Sequence, residues 1–473
     1  MPDYSRKKFV QQVALTGMAL LMQRVEAFSK NAKYKFSERS SEDVVYYEKN
    51  SAEYETLRKG FNKRINKYPK VIALCQNTNG VVEAIQYAKR NTLKLTVKSG
   101  GHCMEGFSCI DEGMLINLSL LNKIEWVDKN SISVEPACTL KTIYEMLIPN
   151  GKYLPGGSCQ TVAIGGLTLG GGYGLMSRNF GLTCDSLIEA TIVSADGKII
   201  NTKDDAELLW ALKGGGNGNF GVVTQMKFKV YAAPATMQSY KFRNRNPDTN
   251  IAIQTCKQWF EACKTLPDSC FSAFIFNGRT TYILLTNIGK QNPSVSNFIK
   301  SFQATSTKFS QGKRLPLGQA LKAYYAEANP ITFKNASAGL YKSFDDIEPV
   351  LEAVFTLIKQ KPGILYQVNT LGGKIQSAEA EQNSSFAHRD CFYFSELQAY
   401  WQSAASTNGF LNQFELIQQQ FANAGVKAQY RNYPDINFKA WPQLYYGKNL
   451  DRLIAVKNKY DAAKIFGGPQ TLG

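Results

Sequence analysis

Histidine is the scarcest potential metal ligand in this sequence: the 473 residues include only two, His102 and His388. Zinc and related metals are usually held in part by imidazole nitrogens, so this scarcity argues against a histidine-based metal site. Ten cysteines in a chain of this length do not make a disulfide scaffold. We therefore expect neither a metal centre nor a small disulfide-stabilised fold.

Three of the cysteines, Cys256, Cys263 and Cys270, recur every seven residues. This spacing would also suit a metal site or a bridge. A helix through residues 257–260, however, would place the first two near one face, and free cysteine is among the residues most often buried. Packing in the core is the interpretation that we favour.

Dense clusters of one charge are absent, although the formal net charge is +17 at pH 7. The lysines and arginines are scattered along the chain, which is typical of a solvated basic surface and not of a nucleic-acid-binding tail. No segment is long and apolar enough to cross a bilayer. The sequence therefore predicts no nucleic-acid role and no stable insertion into a membrane.

The first 27 residues have the pattern of a secretory signal. A basic head with Arg6, Lys7 and Lys8 precedes a short apolar run at residues 13–21, and the segment ends at the small residue Ala27. The head resembles a twin-arginine signal in which lysine replaces the second arginine, so the general secretory route, or no export, stays open. We expect export to the periplasm or the extracellular space.

Strand and helix patterns are mixed in the first half of the chain. Residues 80–88 have apolar positions at helical spacing. In residues 93–98 apolar and polar side chains alternate, which predicts a half-buried strand. Residues 190–193 lead through an Asp-Gly turn into residues 199–200, which predicts a hairpin. His102 is therefore expected in a loop that leaves a strand of an α+β fold.

Two potential nucleophiles lie in separate glycine-rich loops. His102 ends a run that begins at Lys98 and continues through Ser99, Gly100 and Gly101. Cys159 lies in a second loop, at residues 156–162, which ends at Val162. Glycine permits positive φ and lets the backbone approach a bulky ligand closely.

A third glycine-rich run covers residues 165–174. Its glycines are Gly165, Gly166, Gly170, Gly171, Gly172 and Gly174. A dinucleotide-binding Rossmann loop needs a strand before it, a helix after it and an acidic residue about twenty positions further on. That context is poor here, and equally poor for the glycines of residues 214–221.

Together these segments resemble the berberine bridge enzyme-like oxidases, whose FAD domain is of the p-cresol methylhydroxylase or vanillyl-alcohol oxidase type. The resemblance extends over residues 57–230 and 430–470. It implies a two-lobed FAD-binding domain at residues 28–230 and a substrate-binding domain, a sheet backed by helices, at 231–425. A C-terminal segment at 426–473 is then expected to return to the FAD domain.

The same resemblance assigns the cofactor contacts. In the family the histidine bonds to the 8α-methyl carbon of the flavin, and in bicovalent members the cysteine bonds to C6, so His102 and Cys159 are the expected attachment points. Backbone N–H groups of residues 99–101 and 165–174 are expected to hold the pyrophosphate, and Lys98 is expected among the cofactor-binding residues. Val162 is expected near the flavin carbon that reacts with oxygen.

Residues 430–435 match the family pattern Tyr-x-Asn-Tyr-x-Asp. Strand alternation would place Tyr430 and Asn432 on one side, and the resemblance makes Tyr430 the catalytic base with Asn432 beside the flavin. Core packing is the alternative for Tyr430. Family members often supply a carboxylate from the strand before a Gly-Gly pair, but residues 366–371 contain no acid. The partner of the base stays open, and His388 is expected to be structural.

The resemblance implies a bicovalent FAD-dependent oxidase. Hydride would pass from the CH–OH carbon of an alcohol or sugar to flavin N5, and O2 would be reduced to H2O2. The alternatives are a dehydrogenase with a non-oxygen acceptor and an oxidase for an amine or alkaloid-like substrate. A flavin-carrying interaction protein without turnover and a nicotinamide enzyme also stay open.

Overall fold

The computed structural model describes residues 40–473. The signal segment predicted for residues 1–27 and the start of the predicted FAD domain lie outside the described residues, so export stays a prediction. Within the described range the strands form a four-stranded, a five-stranded, a two-stranded and an eight-stranded sheet. Helices alternate with these strands along the chain, which confirms the predicted α+β class.

The four-stranded sheet carries the His102 loop at the end of one strand. Its order is β1-β2-β4-β3, in which β4 is parallel to β2 and β3, and β1 is antiparallel to β2. The strands are β1 (Val44–Tyr47), β2 (Val71–Cys75), β3 (Leu95–Lys98) and β4 (Met114–Asn117). The helices are α1 (Tyr54–Arg58) and α2 (Thr78–Arg90). Asn77 begins α2, because its side chain accepts a hydrogen bond from the Gly80 N–H.

Strand β3 is not half-buried, so that part of the sequence prediction is wrong. Leu95, Thr96 and Lys98 are all buried. The two polar side chains tolerate burial because each finds a partner. The Thr96 hydroxyl donates to the Phe107 carbonyl at 2.6 Å, and the Lys98 ammonium donates to the main-chain carbonyls of Leu57 and Lys59 at the end of α1. His102 lies in the loop that leaves this strand, as predicted.

The five-stranded sheet carries the cysteine loop and the glycine run in its connections. Its order is β5-β6-β10-β8-β9, with antiparallel pairing throughout. The strands to this point are β5 (Ile124–Asp128), β6 (Ser131–Val134), β7 (Lys152–Tyr153), β8 (Leu187–Val193), β9 (Ile199–Asn201), β10 (Val222–Lys229) and β11 (Tyr231–Ala232). The helices are α3 (Leu140–Leu147), α4 (Ile164–Leu169), α5 (Ser177–Phe180) and α6 (Ala206–Leu212). The predicted hairpin is confirmed as β8 and β9, with Gly197 at φ 84° in its turn.

The eight-stranded sheet forms the second half of the chain and pairs in the order β15-β12-β14-β13-β18-β19-β17, with β16 beside β12. Its strands are β12 (Thr236–Arg245), β13 (Cys270–Phe276), β14 (Thr280–Asn287), β15 (Lys308–Gln311), β16 (Leu315–Pro316), β17 (Phe333–Tyr341), β18 (Ile364–Thr370) and β19 (Tyr393–Tyr400). Its helices are α7 (Thr249–Cys263), α8 (Pro293–Thr305), α9 (Leu317–Lys322), α10 (Leu351–Gln360), α11 (Ala378–Gln382) and α12 (Thr407–Asn423).

Helices α7, α10 and α12 cover one face of this sheet. Their buried aromatic side chains, including Trp259, Phe355 and Phe414, form one core with Tyr366 and Leu397 from the strands. The predicted sheet backed by helices is therefore confirmed. The opposite face of β17, β18 and β19 carries polar side chains.

The three regularly spaced cysteines are core residues, as predicted. Cys256 and Cys263 lie on α7 and Cys270 begins β13, and all three are buried free thiols. In residues 40–473 no group of histidine, cysteine and carboxylate side chains is arranged to hold a metal ion. Over the same residues, no helix has both the length and the apolar character that a membrane crossing requires.

The C-terminal segment contains α13 (Trp441–Tyr446) and α14 (Leu450–Tyr460). Beyond them, the Gly467 N–H donates to the Leu95 carbonyl at 2.9 Å and the Leu472 N–H donates to the Asn219 side chain at 3.0 Å. The tail therefore lies against the predicted FAD domain. Strand β11 pairs with β7, so hydrogen bonds cross the predicted boundary at residues 230 and 231. The domain boundaries stay predictions.

Candidate functional site

His102 is held between an aromatic ring and the cysteine loop. Its imidazole stacks on the Phe61 ring with centroids 4.3 Å apart, and the Phe61 N–H donates to the Gly101 carbonyl at 2.9 Å. Gly101 has φ +70°, a conformation that glycine adopts without strain. The backbone of Thr161, from the other loop, hydrogen-bonds the imidazole. His102 therefore has a defined place although it lies in a loop.

The environment of His102 favours the neutral imidazole. Burial lowers its pKa to about 4, against the opposing effect of the Thr161 backbone. At neutral pH the ring is therefore uncharged, and one nitrogen keeps a free lone pair. A nucleophile needs that lone pair, so the His102 environment suits a covalent attachment point.

The cysteine loop is fixed against the start of α3. The Leu140 N–H donates to the Val162 carbonyl at 2.9 Å, and the Val162 N–H closes a turn on the Cys159 carbonyl at 3.2 Å. The Cys159 thiol is partly exposed and lies 3.8 Å from the Thr161 hydroxyl oxygen. Thr161 thus contacts both predicted attachment residues, and the structure brings them to one place. Val162 also packs on the neighbouring core.

Two of the predicted phosphate-binding glycines are required by close packing. A Cβ atom at Gly100 would lie 2.7 Å from the Ala163 Cβ, and one at Gly165 would lie 2.7 Å from the Pro136 Cβ. Gly166 differs, because a Cβ atom there would meet no protein atom within 4 Å. Gly166 therefore borders open space beside the cysteine loop, where a ligand can approach.

The later glycines of the run are buried against the polypeptide itself. A methyl group at each would crowd a neighbouring residue, namely Asn432 at Gly170, Phe386 at Gly171, Thr183 at Gly172 and Gly156 at Gly174. These four glycines therefore let the run pack closely against four separate parts of the chain. Their predicted contact with the cofactor stays a prediction.

Residues 430–435 form a turn and not the predicted strand. The Tyr433 N–H donates to the Tyr430 carbonyl at 3.0 Å, which closes the turn. The segment lies along the edge of β17, where the Ser337 N–H donates to the Tyr433 carbonyl at 2.8 Å and the Ser337 hydroxyl accepts from the Tyr430 N–H at 3.0 Å. We call residues 430–435 the tyrosine turn.

The Tyr430 hydroxyl is a buried hydrogen-bond acceptor. It receives the N–H of Gly172 at 2.9 Å and that of Tyr173 at 3.2 Å, and the Asn432 amide also donates to it at 3.2 Å. Burial raises the pKa of Tyr430 to about 12. These contacts give Tyr430 a positioning role for the glycine run, and its predicted role as the base stays a prediction.

Tyr433 has a more accessible position than Tyr430. Its side chain is partly exposed, whereas Tyr430 is 3% exposed. Burial raises the pKa of Tyr433 well above its ordinary value, and the nearby Glu396, Tyr173 and Cys159 raise it further. The Tyr433 ring packs against the rings of Phe394 and Tyr430, with centroids 5.2 Å apart in both cases.

Glu396 is a functional candidate that the sequence interpretation missed. It lies on β19, directly opposite Gln367 of β18, the strand on which the resemblance places a carboxylate. Burial raises its pKa to about 7, against hydrogen bonds from Asn369 and Gln398 that act to lower it. The alternation of β19, which places Glu396 on the polar face of the sheet, is the sequence signal that could have identified it.

Amide and phenol groups surround Glu396 on the sheet face. The Gln367 amide donates to the Asn369 side chain at 2.8 Å, the Tyr400 hydroxyl donates to Gln398 at 2.8 Å, and the Asn335 amide donates to the Tyr400 hydroxyl at 3.0 Å. The Asn335 side-chain oxygen is buried without a partner. We call these five residues the amide face.

An aromatic series connects the amide face to His102. The Tyr400 and Phe333 rings lie 6.2 Å apart, as do those of Phe333 and Phe61, and Phe61 stacks on His102. The amide face and the His102 loop are therefore joined by a continuous series of aromatic contacts. His388 lies elsewhere: its Nε2 contacts the Leu444 carbonyl at 2.8 Å, the structural contact that was expected.

Comparison with known proteins agrees with this arrangement. A family described as FAD binding domain matches residues 69–203, and one described as berberine and berberine like matches residues 429–472. An FAD-linked oxidoreductase of Bacillus subtilis, YgaK, is 27% identical over 89% of this chain and 94% of its own length. A glucooligosaccharide oxidase of Sarocladium strictum is 27% identical over 90% of this chain and 91% of its own length.

A solved structure has the same fold. The structure of a berberine bridge enzyme-like protein from Physcomitrella patens, BBE-like 1, superposes with a TM-score of 0.83 at 22% identity, over 91% of this chain and 97% of that one. The two matched segments contain the His102 loop, the cysteine loop and the tyrosine turn. The chain therefore contains an FAD binding domain and a berberine-like C-terminal segment, and the proteins similar to it are berberine bridge enzyme-like and FAD-linked oxidoreductases.

Proposed function

We propose that this protein is an oxidase that carries FAD covalently on His102 and Cys159 and oxidises a carbohydrate at a CH–OH carbon. O2 is the proposed acceptor and H2O2 the second product. One observation carries the proposal: the neutral His102 imidazole and the partly exposed Cys159 thiol both contact Thr161, as two attachment points for a single flavin require.

The residues present fit a covalently held FAD. His102 offers an uncharged ring nitrogen, and Cys159 offers a partly exposed thiol next to the same Thr161. Gly166 borders open space where a backbone N–H can meet a phosphate. When bound, FAD supplies the two-electron chemistry of hydride acceptance and reoxidation.

Tyr433 and Glu396 are the proposed acid–base pair. A general base is most effective when its pKa lies near the working pH, and Glu396, with a pKa of about 7, meets that requirement. Tyr433 does not meet it by itself, because its pKa is raised. We assign Tyr433 to bind the substrate hydroxyl and pass its proton toward the Glu396 carboxylate. This proposal differs from the sequence prediction, in which Tyr430 is the base.

The amide face supports a carbohydrate as the substrate. Side-chain amides both donate and accept hydrogen bonds, which suits the hydroxyl groups of a sugar. The side chains of the amide face carry no charge. The Asn335 side-chain oxygen, which has no partner, can accept a hydrogen bond from a sugar hydroxyl. Phe333 and Tyr400 add an aromatic surface beside them. The similarity to a glucooligosaccharide oxidase supports the same substrate class.

Anaerobic reduction with a panel of substrates tests the proposal. We expect oligosaccharides to bleach the flavin absorbance, and we expect O2 to restore it with one H2O2 formed for each flavin. Bleaching by alcohols, amines or alkaloids but by no saccharide would contradict the substrate class. Rapid reoxidation by a quinone with slow reoxidation by O2 would show a dehydrogenase instead.

Glu396→Gln should remove a pH dependence near neutrality. In the wild type, the rate of flavin reduction should rise as pH increases through about 7, because the carboxylate is the proton acceptor. The variant should be slower by about 100-fold at pH 8 and nearly independent of pH. Stopped-flow reduction measures both effects. Glu379→Gln, at an exposed carboxylate, is the control and should keep the wild-type profile.

The same variant gives an independent measure of stability. The folded-state pKa of Glu396 lies above its unfolded value, so its contribution to the free energy of unfolding is retained at low pH and lost as pH rises through about 7. Glu396→Gln should therefore raise the melting temperature relative to wild type at pH 8 more than at pH 4. An equal shift at both pH values would contradict the raised pKa.

A further inference from the structure

A buried cluster of charges joins three segments of the site. The Lys334 ammonium contacts the carboxylates of Glu105 and Asp435, the second at 2.7 Å. Arg64 contacts the other Glu105 oxygen at 2.7 Å. The side chains of Lys334, Glu105 and Asp435 are exposed by 4%, 2% and 1%. Two positive and two negative groups thus balance each other away from solvent.

The three segments are those that carry the proposed chemistry. Glu105 lies three residues after His102, Asp435 lies two residues after Tyr433, and Lys334 precedes Asn335 on β17. Lys334 is the residue that contacts both carboxylates. It therefore forms a direct link between the His102 loop, the amide face and the tyrosine turn.

Neighbouring hydrogen bonds fix the directions of these groups. The second Asp435 oxygen accepts from the Gln418 amide at 3.2 Å. The Asn62 amide donates to the Met104 carbonyl at 2.8 Å and to the Phe333 carbonyl at 3.0 Å. The backbone beside Glu105 and the backbone beside Lys334 are thus held together by the same amide. The cluster has a defined geometry.

We infer that Lys334 is a positioning residue, which sets the placement of the tyrosine turn relative to the His102 loop. The inference rests on the proposed function. A buried ion pair with one well-defined arrangement can specify how two segments are placed, even where it adds little stability. Proton and hydride transfer need the reacting groups held closely, since a 1 Å displacement can lower a rate by about 100-fold.

Lys334→Met tests this inference on the flavin-loaded protein. We expect the limiting rate of anaerobic flavin reduction to fall by about 100-fold, because the reacting groups are displaced relative to each other. The dissociation constant for the substrate should change less than about threefold. We also expect a smaller fraction of chains with flavin bound through His102, which peptide mapping by mass spectrometry measures without turnover.

Lys457→Met is the matched control. Lys457 forms an equally buried pair with Asp461 at 2.6 Å on α14 and contacts none of the three segments through a hydrogen bond or ion pair. This variant should lose thermal stability and keep the wild-type reduction rate and attachment. If Lys334→Met behaves like this control in both readouts, Lys334 is only a structural residue and the inference is wrong.

A double variant separates positioning from charge balance. Lys334→Met/Asp435→Asn removes one charge of each sign and leaves Glu105 paired with Arg64. We expect it to regain melting temperature relative to Lys334→Met and to remain slow in reduction. Recovery of both properties would overturn the inference. A wild-type protein without covalent flavin and without a reducing substrate would instead overturn the proposed function, and this inference with it.

Discussion

Tyr433→Phe is expected to lower the rate of flavin reduction by roughly 10²–10⁴-fold, the usual contribution of a positioned acid–base group. Tyr433 is partly exposed as a residue, and its phenol interacts electrostatically with Glu396 and Cys159. Phenylalanine keeps the ring and removes only the hydroxyl. The flavin content should therefore equal that of the wild type, and stopped-flow reduction under anaerobic conditions measures the loss.

Tyr430→Phe is the informative comparison. The Tyr430 hydroxyl accepts the N–H groups of Gly172 and Tyr173, and its loss leaves two backbone donors without that acceptor. An unsatisfied buried donor costs about 1–3 kcal/mol. We expect a lower melting temperature and a smaller effect on reduction than in Tyr433→Phe. The reverse order, with Tyr430→Phe the slower enzyme, would restore Tyr430 as the base.

The double variant His102→Ala/Cys159→Ala is expected to release all of its flavin when it is denatured. The wild type should retain every flavin on the polypeptide, and each single variant should retain it through the remaining bond. Absorbance of the protein and of the supernatant after acid precipitation measures the partition. Peptide mapping then identifies the attached residue. Thr161 contacts both His102 and Cys159. We therefore expect each single variant to hold the flavin next to Thr161 and to form the bond that remains possible.

Cys103→Ser provides the matched control for this experiment. Cys103 is a partly exposed free thiol next to His102 in the sequence, and its loss should leave attachment complete. Because the pKa of His102 is about 4, the extent of attachment should also be the same at pH 6 and pH 8. Flavin lost from the wild type on denaturation would show that the proposed covalent bonds do not exist.

Local patterns were sufficient to predict much of the site. The run from Lys98 to His102, the loop around Cys159 and the motif at residues 430–435 are contiguous, so each could be recognised without knowing the fold. The hairpin of β8 and β9 and the buried cysteines of α7 are also properties of short segments. Periodicity and turn chemistry act over a few residues, which is why they can be read from the chain.

The tyrosine turn shows where a local pattern failed. Alternation in residues 430–433 predicts a strand, but the segment bends because the Tyr433 N–H bonds back to Tyr430, and Ser337 of β17 receives and donates hydrogen bonds along it. That contact with a distant strand leaves Tyr430 buried against the glycine run and Tyr433 partly exposed.

By itself, the amino-acid sequence determined the α+β class and the similarity to berberine bridge enzyme-like proteins. It also predicts His102 and Cys159 as the attachment residues. Only the tertiary structure decided that Glu396 acts electrostatically on Tyr433 and that Lys334 joins Glu105 to Asp435. The position of Glu396 opposite Gln367 depends on the pairing of β18 with β19. The Lys334 contacts join residues that are more than 100 positions apart in the sequence. Such contacts are set by strand register and by the packing of segments across the site, and neither is encoded in the spacing of neighbouring residues.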